Sequence, residues 1–103
     1  MSSDWPVSSP DPLLAMRVAV TRQTDEGTPA GGWMPEERIS ALDALRGYTF
    51  GSAFQGATEQ WRGRIRVGAA ADLVAFDTDF VEDFACITEA TLIGTWLDGK
   101  KVS

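Results

Sequence analysis

The spacing of the apolar residues changes near Trp61, and this change limits the folds open to the chain. Residues before it carry apolar side chains at the spacing of amphipathic helices, whereas residues after Gln60 alternate or form short apolar runs between turn residues. Helices followed by strands predict an α+β fold with a small antiparallel sheet. We therefore predict a helical part over 1–60 and a β part over 61–103 that includes a C-terminal hairpin.

Three segments of the first part are expected to be helical. An apolar pattern predicts a helix over 12–22, with Ser9 or Asp11 as its N-cap, because each precedes a proline suited to the first helical turn. Ser40–Asp43 resembles a capping box, with Asp in place of the usual Glu or Gln, and starts the second helix. Thr49 is expected to cap a third, short helix.

The segment 23–37, between the first two helices, is rich in Gly and Pro and predicts a long loop. A loop of this length in a compact domain is usually functional or mobile. Trp33 and Met34 lie in its middle. They either attach the loop to the body of the domain or form part of a substrate-binding wall.

Short strands and a hairpin are expected in the second part. Arg64–Val67 alternates, Asp72–Asp77 is an apolar run between acids, and Thr91–Leu97 is a further run. Asp98–Gly99 is a strong signal for a two-residue hairpin turn that leads into a last strand. The connector over 79–89 has apolar residues at a spacing that allows a helical turn.

The composition narrows the possible partners and the compartment. A net charge of −6 argues against nucleic acid or an anionic membrane as a partner, and no stretch is long and apolar enough for a membrane span. The single cysteine, Cys86, cannot form an internal disulfide and fits a reducing cytoplasm. Because the chain has no histidine to activate it, Cys86 is interpreted as a small buried hydrophobe rather than a nucleophile.

One stretch near the start combines a carboxylate, a large aromatic ring and a constrained backbone. Asp4 and Trp5 lie in the run Ser3–Pro12, whose prolines fix φ and bias the preceding residues toward extended geometry. A carboxylate on such a loop is held in place, and this makes Asp4 the candidate site residue.

Four motifs follow one another along the chain. They are Ser3–Val7 with Ser9–Pro12, Pro35–Ser40 with Ala44–Arg46 and Tyr48–Thr49, Gly63–Asp77, and Thr95–Lys100. Together they cover nearly the whole chain and resemble the C-terminal segment of an amidohydrolase-superfamily metal-dependent hydrolase, in the branch of the N-substituted formamide deformylases. The resemblance implies a (β/α)8 barrel with a composite β-sandwich, in which 1–60 carries the last barrel helices and 61–103 the C-terminal share of the sandwich.

The same resemblance implies a role for Asp4. It matches the family's strand-eight aspartate, which lies close to or coordinates the metal and accepts the proton of the metal-bound water. Asp4 would therefore be both catalytic residue and metal ligand in a complete barrel. The family's zinc is held mainly by histidines, which this chain lacks, and one aspartate cannot supply the ligands of a catalytic zinc. We expect no cofactor and no activity in the isolated chain.

A second hypothesis is an oligomeric binding or assembly module that reuses this segment. In the family the sandwich strands pair with a segment from the other end of the chain, so here their edges and one sheet face would recruit a partner. The helices would likewise expose a set of aliphatic residues: Leu13, Leu14, Val18, Leu42 and Leu45. This hypothesis predicts a homo-oligomer, or a complex with a complementing barrel chain.

A third hypothesis is a small-molecule pocket between subunits. Trp5 and Trp33 are its candidate substrate-binding residues, with Tyr48, Phe54 or Trp61 as further lining. Aromatic residues at such spacings lie in a core more often than against a ligand.

Overall fold

Helices come first and strands last in the computed structural model, which describes residues 4–103. The helices of this part of the chain are α1 (Pro12–Thr21), α2 (Ala41–Tyr48) and α3 (Phe50–Gln55), and its strands are β1 (Leu73–Phe76), β2 (Leu92–Leu97) and β3 (Lys100–Lys101). Short 3-10 helices span Pro35–Glu37 and Phe84–Thr88. The predicted α+β class is confirmed. Ser3, which begins the first predicted motif, lies outside the described residues.

Local hydrogen bonds set the helix starts. Asp11 accepts the N–H of Leu13 at 2.9 Å and so satisfies a free donor in the first turn of α1. Ser40 accepts the N–H of Asp43 at 3.0 Å and donates its hydroxyl to the Asp43 carboxylate at 2.8 Å, which confirms the predicted cap of α2. Thr49 is the N-cap residue of α3, as predicted, but its side chain makes no capping hydrogen bond. Its hydroxyl donates to a carbonyl in the last turn of α2 at 2.9 Å, because that free acceptor lies within reach.

The strands form one sheet in the order β1-β2-β3, with antiparallel neighbours. Leu73 of β1 lies opposite Trp96 of β2, and the register shifts once, next to Phe76. β2 and β3 are joined at Asp98–Gly99, whose φ angles are 51° and 79°. Positive φ at both central residues is the requirement of a tight hairpin turn, so the predicted hairpin is confirmed.

The predicted strand over Arg64–Val67 is wrong, because this segment belongs to a closed loop. The N–H of Ala70 donates to the carbonyl of Trp61 at 2.8 Å and joins the two ends of the loop. Gly63, with φ of +85°, brings the loop against α3: a Cβ at this position would lie 2.9 Å from the Cβ of Ala53. Only a glycine allows this approach without a shift of the helix or the loop.

The arginines of this loop are exposed, and each contacts a neighbouring group. Arg62 approaches Asp72 at 3.6 Å, and the Arg64 guanidinium lies 3.9 Å from the centroid of the Phe50 ring. The alternating pattern is real, but its charged members do not belong to a paired strand: Arg64 lies over the Phe50 ring, and Arg66 donates to the Gln60 carbonyl. The intervening aliphatic residues Ile65 and Val67 are almost fully exposed as a result.

The core is small and draws on both predicted parts of the chain. Met16 of α1 and Ala44 of α2 pack with Phe80 and Ile87, which flank or lie in the second 3-10 helix. Partly buried residues surround this cluster: Leu13, Val20, Leu45, Tyr48, Phe76, Val81, Phe84 and Ala90. The core therefore links the helices to the segment between β1 and β2. The predicted division of the chain into parts 1–60 and 61–103 stays a prediction from composition.

The expected aliphatic patch on the helices is only partly present. Leu13 and Leu45 pack against the core, and Leu14 is half-buried. Val18 and Leu42 are exposed, as predicted. None of the helices in the described part of the chain has the length and apolarity needed to cross a membrane.

Candidate functional site

Asp4 and Trp5 lie in a tight turn before α1. The N–H of Val7 donates to the Asp4 carbonyl at 2.8 Å, and Asp4 has a φ of 54°. This left-handed conformation is tolerated by aspartate better than by most residues with a side chain. Both side chains lie on the surface, with Trp5 67% exposed. The turn therefore presents a carboxylate and an indole ring outward together.

Trp33 is held against the other end of α1. The backbone N–H of Trp33 donates to the backbone carbonyl of Arg22 at 2.8 Å, and the Arg22 guanidinium donates to the backbone carbonyl of Trp33 at 3.1 Å. The guanidinium lies 5.2 Å from the centroid of the indole ring. These contacts attach the loop to the body of the domain, which is the first of the two roles weighed for Trp33.

The candidate residues do not converge on one described site. Asp4 and Trp5 precede the N-terminal end of α1, whereas Trp33 is bonded at its C-terminal end. A helix of ten residues separates these attachment points by roughly 15 Å. Neither tryptophan lines the two main clefts found in residues 4–103. The substrate-binding role of Trp5 and Trp33 stays a prediction.

The side chains of residues 4–103 do not form a zinc site by themselves. Among residues 4–103, no three His, Cys, Asp or Glu side chains lie close enough together to hold a metal ion. A catalytic zinc needs three protein ligands, most often including histidine, and the chain has no histidine. Any metal beside Asp4 would need ligands from another polypeptide segment.

The larger cleft, of about 600 Å³, lies between the Trp61–Ala70 loop and the β2–β3 turn. Its polar lining is already paired: Arg62 approaches Asp72 at 3.6 Å, and Asp72 accepts the N–H of Asp98 at 2.9 Å. The Arg62 guanidinium also lies 4.2 Å from the Trp61 ring centroid. The contacts of Asp72 fasten the loop to the hairpin. Sequence reasoning missed them because no local pattern links Asp72 to Arg62 or to Asp98, which is 26 residues further along the chain.

A smaller cleft of about 370 Å³ runs beside the start of α1 and is lined by Asp11, Leu14 and Arg17 among others. Near it, the Tyr48 hydroxyl is buried and has no hydrogen-bond partner among the described residues. Burial raises the pKa of Tyr48, and the charge of Asp11 raises it further. This hydroxyl therefore stays protonated at neutral pH and can only act as a neutral donor or acceptor.

Cys86 differs from the buried thiol expected from the sequence. It is only half-buried, and its thiol donates to the Asp83 carboxylate at 3.2 Å. That hydrogen bond is the main cause that raises the pKa of Cys86, with burial and the Asp83 charge adding to it. A thiol with a raised pKa is a poor nucleophile at neutral pH, which agrees with the non-catalytic interpretation.

The motif pattern and the match to a family model together define the class of protein. The chain belongs to the amidohydrolase family, whose model matches residues 1–103. The resemblance predicted from the four motifs is thereby confirmed.

Two curated relatives are similar to the chain over nearly its whole length. It is 33% identical over 102 residues to Protein LONG AFTER FAR-RED 3 of Arabidopsis thaliana, covering 99% of this chain and 17% of the relative. It is also 33% identical over 103 residues to N-substituted formamide deformylase of Arthrobacter pascens, covering 96% of this chain and 18% of the relative. The chain thus spans less than a fifth of either relative. No solved structure matches it.

Proposed function

We propose that this chain supplies the C-terminal part of a metal-dependent amidohydrolase that acts on carbon–nitrogen bonds other than peptide bonds, and that it is inactive alone. The single observation that carries the proposal is that a chain matched to the family over residues 1–103 has no metal-binding cluster among residues 4–103. The similarity to N-substituted formamide deformylase supports the choice of substrate class.

Asp4 is the residue of this chain that the proposal places at the reacting centre. It sits on an exposed turn, so a second polypeptide segment can approach it without disturbing the core. A carboxylate in that position can take up and return a proton during hydrolysis. Because the ligand set is incomplete, no catalytic step is assigned to the chain by itself.

The proposal is tested by complementation. The Arthrobacter pascens deformylase is expressed without the segment that this chain matches, and formate release from an N-substituted formamide is measured with zinc present. The expected result is no turnover by either polypeptide alone and measurable turnover when the two are mixed. Turnover by the purified chain alone, or none by the mixture, would contradict the proposal.

The role of Asp4 is tested in the same mixture. Asp4→Asn is expected to lower turnover by about 100-fold or more, the range of a lost general acid–base group. Glu36→Gln, a matched change of an exposed acid in the 3-10 helix after Trp33, is expected to leave turnover unchanged. Equal effects of the two substitutions would remove Asp4 from the proposal.

A second candidate function is an assembly module that associates through its apolar surface. The observation that favours it is the balance of burial: among residues 4–103, five hydrophobic residues are buried, whereas many large ones are exposed, among them Trp5, Trp33, Phe54 and Ile65. Exposed apolar patches on soluble proteins commonly mark interaction sites. This candidate requires a homo-oligomer or a complex. Light scattering of the purified chain tests it by distinguishing an oligomer from a monomer.

A further inference from the structure

The turn between β2 and β3 contains the one place in the sequence where an aspartate precedes a glycine, Asp98–Gly99. Glycine has no Cβ, so nothing on Gly99 shields its backbone nitrogen from the side chain of Asp98. That nitrogen can attack the carboxyl carbon Cγ of Asp98 and close a succinimide ring. Both residues are exposed, so water reaches the turn. The pair therefore combines a nucleophile and an electrophile that can rearrange the backbone.

The rearrangement is a loss and a return of water. The Gly99 nitrogen forms a bond to Cγ of Asp98, and its proton leaves with the hydroxyl of the protonated carboxyl group as one water molecule. A second water molecule then opens the ring. Attack at Cγ restores aspartate, whereas attack at the backbone carbonyl carbon leaves the chain linked through Cγ as isoaspartate. The product has the mass of the original chain and one additional carbon in its backbone.

Two hydrogen bonds hold the turn in the folded chain. The N–H of Gly99 donates to the Ala71 carbonyl at 2.9 Å, and the N–H of Asp98 donates to the Asp72 carboxylate at 2.9 Å. A hydrogen bond donated by an N–H stabilises its neutral form, so the Gly99 nitrogen is a poorer nucleophile in the closed turn. The Asp72 charge lies one residue away and disfavours a negative charge on that nitrogen further.

We propose that Asp98–Gly99 is an isoaspartate-forming modification site, and that the Asp72 carboxylate protects it in the folded chain. Asp72 is itself held in place, because Arg62 of the Trp61–Ala70 loop approaches it at 3.6 Å. The turn rearranges only when these contacts open, so the rate of rearrangement follows the population of the opened turn. This inference goes beyond the proposed function and does not depend on it.

Isoaspartate at this position changes the sheet. A two-residue turn fixes the register of the strands that it joins, and isoaspartate lengthens the backbone of the turn. The pairs next to the turn join Leu97 to Lys100 and Trp96 to Lys101, and both depend on that register. Chains that have rearranged should therefore lose the pairing between β2 and β3.

Incubation of the full chain at neutral pH and physiological temperature tests the proposal. Isoaspartate is quantified by enzymatic methylation with a labelled methyl donor, and it is located by electron-transfer fragmentation of the C-terminal peptide. We expect the folded wild-type chain to form isoaspartate at Asp98 at least about 10-fold more slowly than the chain unfolded in urea. Asp72→Ala should raise the rate in the folded chain about 10-fold, the effect of losing one hydrogen bond to a charged group.

Asp77→Ala is the matched control for Asp72→Ala. Asp77 also accepts a backbone N–H, from Thr91 at 2.8 Å, but it follows β1, whereas Asp72 precedes it. The rate at Asp98 should therefore stay at the wild-type value in Asp77→Ala. In urea the wild type and all variants should react at one rate, which shows that Asp72 acts through the folded turn.

Asp72→Asn keeps an acceptor oxygen but not the charge, so its rate should fall between those of the wild type and Asp72→Ala. It also serves as the test if far-UV circular dichroism shows that Asp72→Ala unfolds. Equal rates in the folded and unfolded wild type would overturn the proposal. An unchanged rate in both Asp72 variants, or an equal increase in Asp77→Ala, would overturn it as well.

Discussion

Replacing Met16 with alanine tests whether the helices and the β part share one core. Met16 is 2% exposed and packs with Ala44, Phe80 and Ile87. Truncating a buried methionine to alanine costs 2–5 kcal/mol, depending on how far the cavity collapses. Because the neighbours come from several elements that cannot all move inward together, we expect a loss of about 3 kcal/mol. A domain of this size has a total stability of about 5–15 kcal/mol, so the loss is a large fraction of it.

The measurement is equilibrium unfolding in urea, followed by far-UV circular dichroism for the helices and by tryptophan fluorescence, to which Trp96 of β2 contributes. Both signals should shift together, and the melting temperature should fall by roughly 12–24 °C. Val7→Ala, a truncation at a side chain 80% exposed, should change stability by less than about 0.5 kcal/mol. A loss below about 1 kcal/mol for Met16→Ala, or two separate transitions in the wild type, would refute the shared core.

Three further substitutions probe single interactions. Ser40→Ala removes the cap of α2 and should cost about 1 kcal/mol in urea unfolding; an unchanged midpoint would contradict the cap. A hydrogen bond from the Thr78 hydroxyl, and a second one from the backbone N–H of Thr91, lower the pKa of Asp77 below its ordinary value of 3.8. The ionised Asp77 carboxylate therefore stabilises the fold above pH 3.8, and this stabilisation is lost as the pH falls through the lowered pKa. Asp77→Asn should make the free energy of unfolding less dependent on pH in this acidic range. Asp83→Asn replaces the carboxylate whose hydrogen bond, and to a lesser extent whose charge, raises the pKa of Cys86, and it should speed alkylation by iodoacetamide at neutral pH; an equal rate would refute it.

The sequence was sufficient where a structure depends on neighbours in the chain. The Asp11 cap of α1, the Ser40 cap of α2 and the Asp98–Gly99 turn each rest on residues within a few positions of one another, and all three are confirmed. Arg64–Val67 failed for the opposite reason. Its alternation favours a strand, but contacts with distant parts of the chain, such as the ring of Phe50, fold it into a loop.

The candidate site was harder to predict than the fold, because it depends on contacts across long stretches of sequence. The resemblance singled out Asp4, and the structure places it on an exposed turn. The ion pair between Arg62 and Asp72, which fastens the loop to the hairpin, cannot be predicted from the spacing of neighbouring residues. The attachment of Trp33 to Arg22 likewise supports one of the two roles that its position in a glycine-rich loop left open, while the substrate-binding role stays a prediction.

The shared core has a practical consequence for building chimeras with other amidohydrolases. The composition changes near residue 60, which makes that point the natural choice for a crossover between parental genes. A joint there would take Met16 from one parent and Ile87 from the other, although these side chains pack together. Exchanges whose boundary falls before Asp11 instead keep the packed cluster within one parent, and they should yield the larger fraction of folded recombinants.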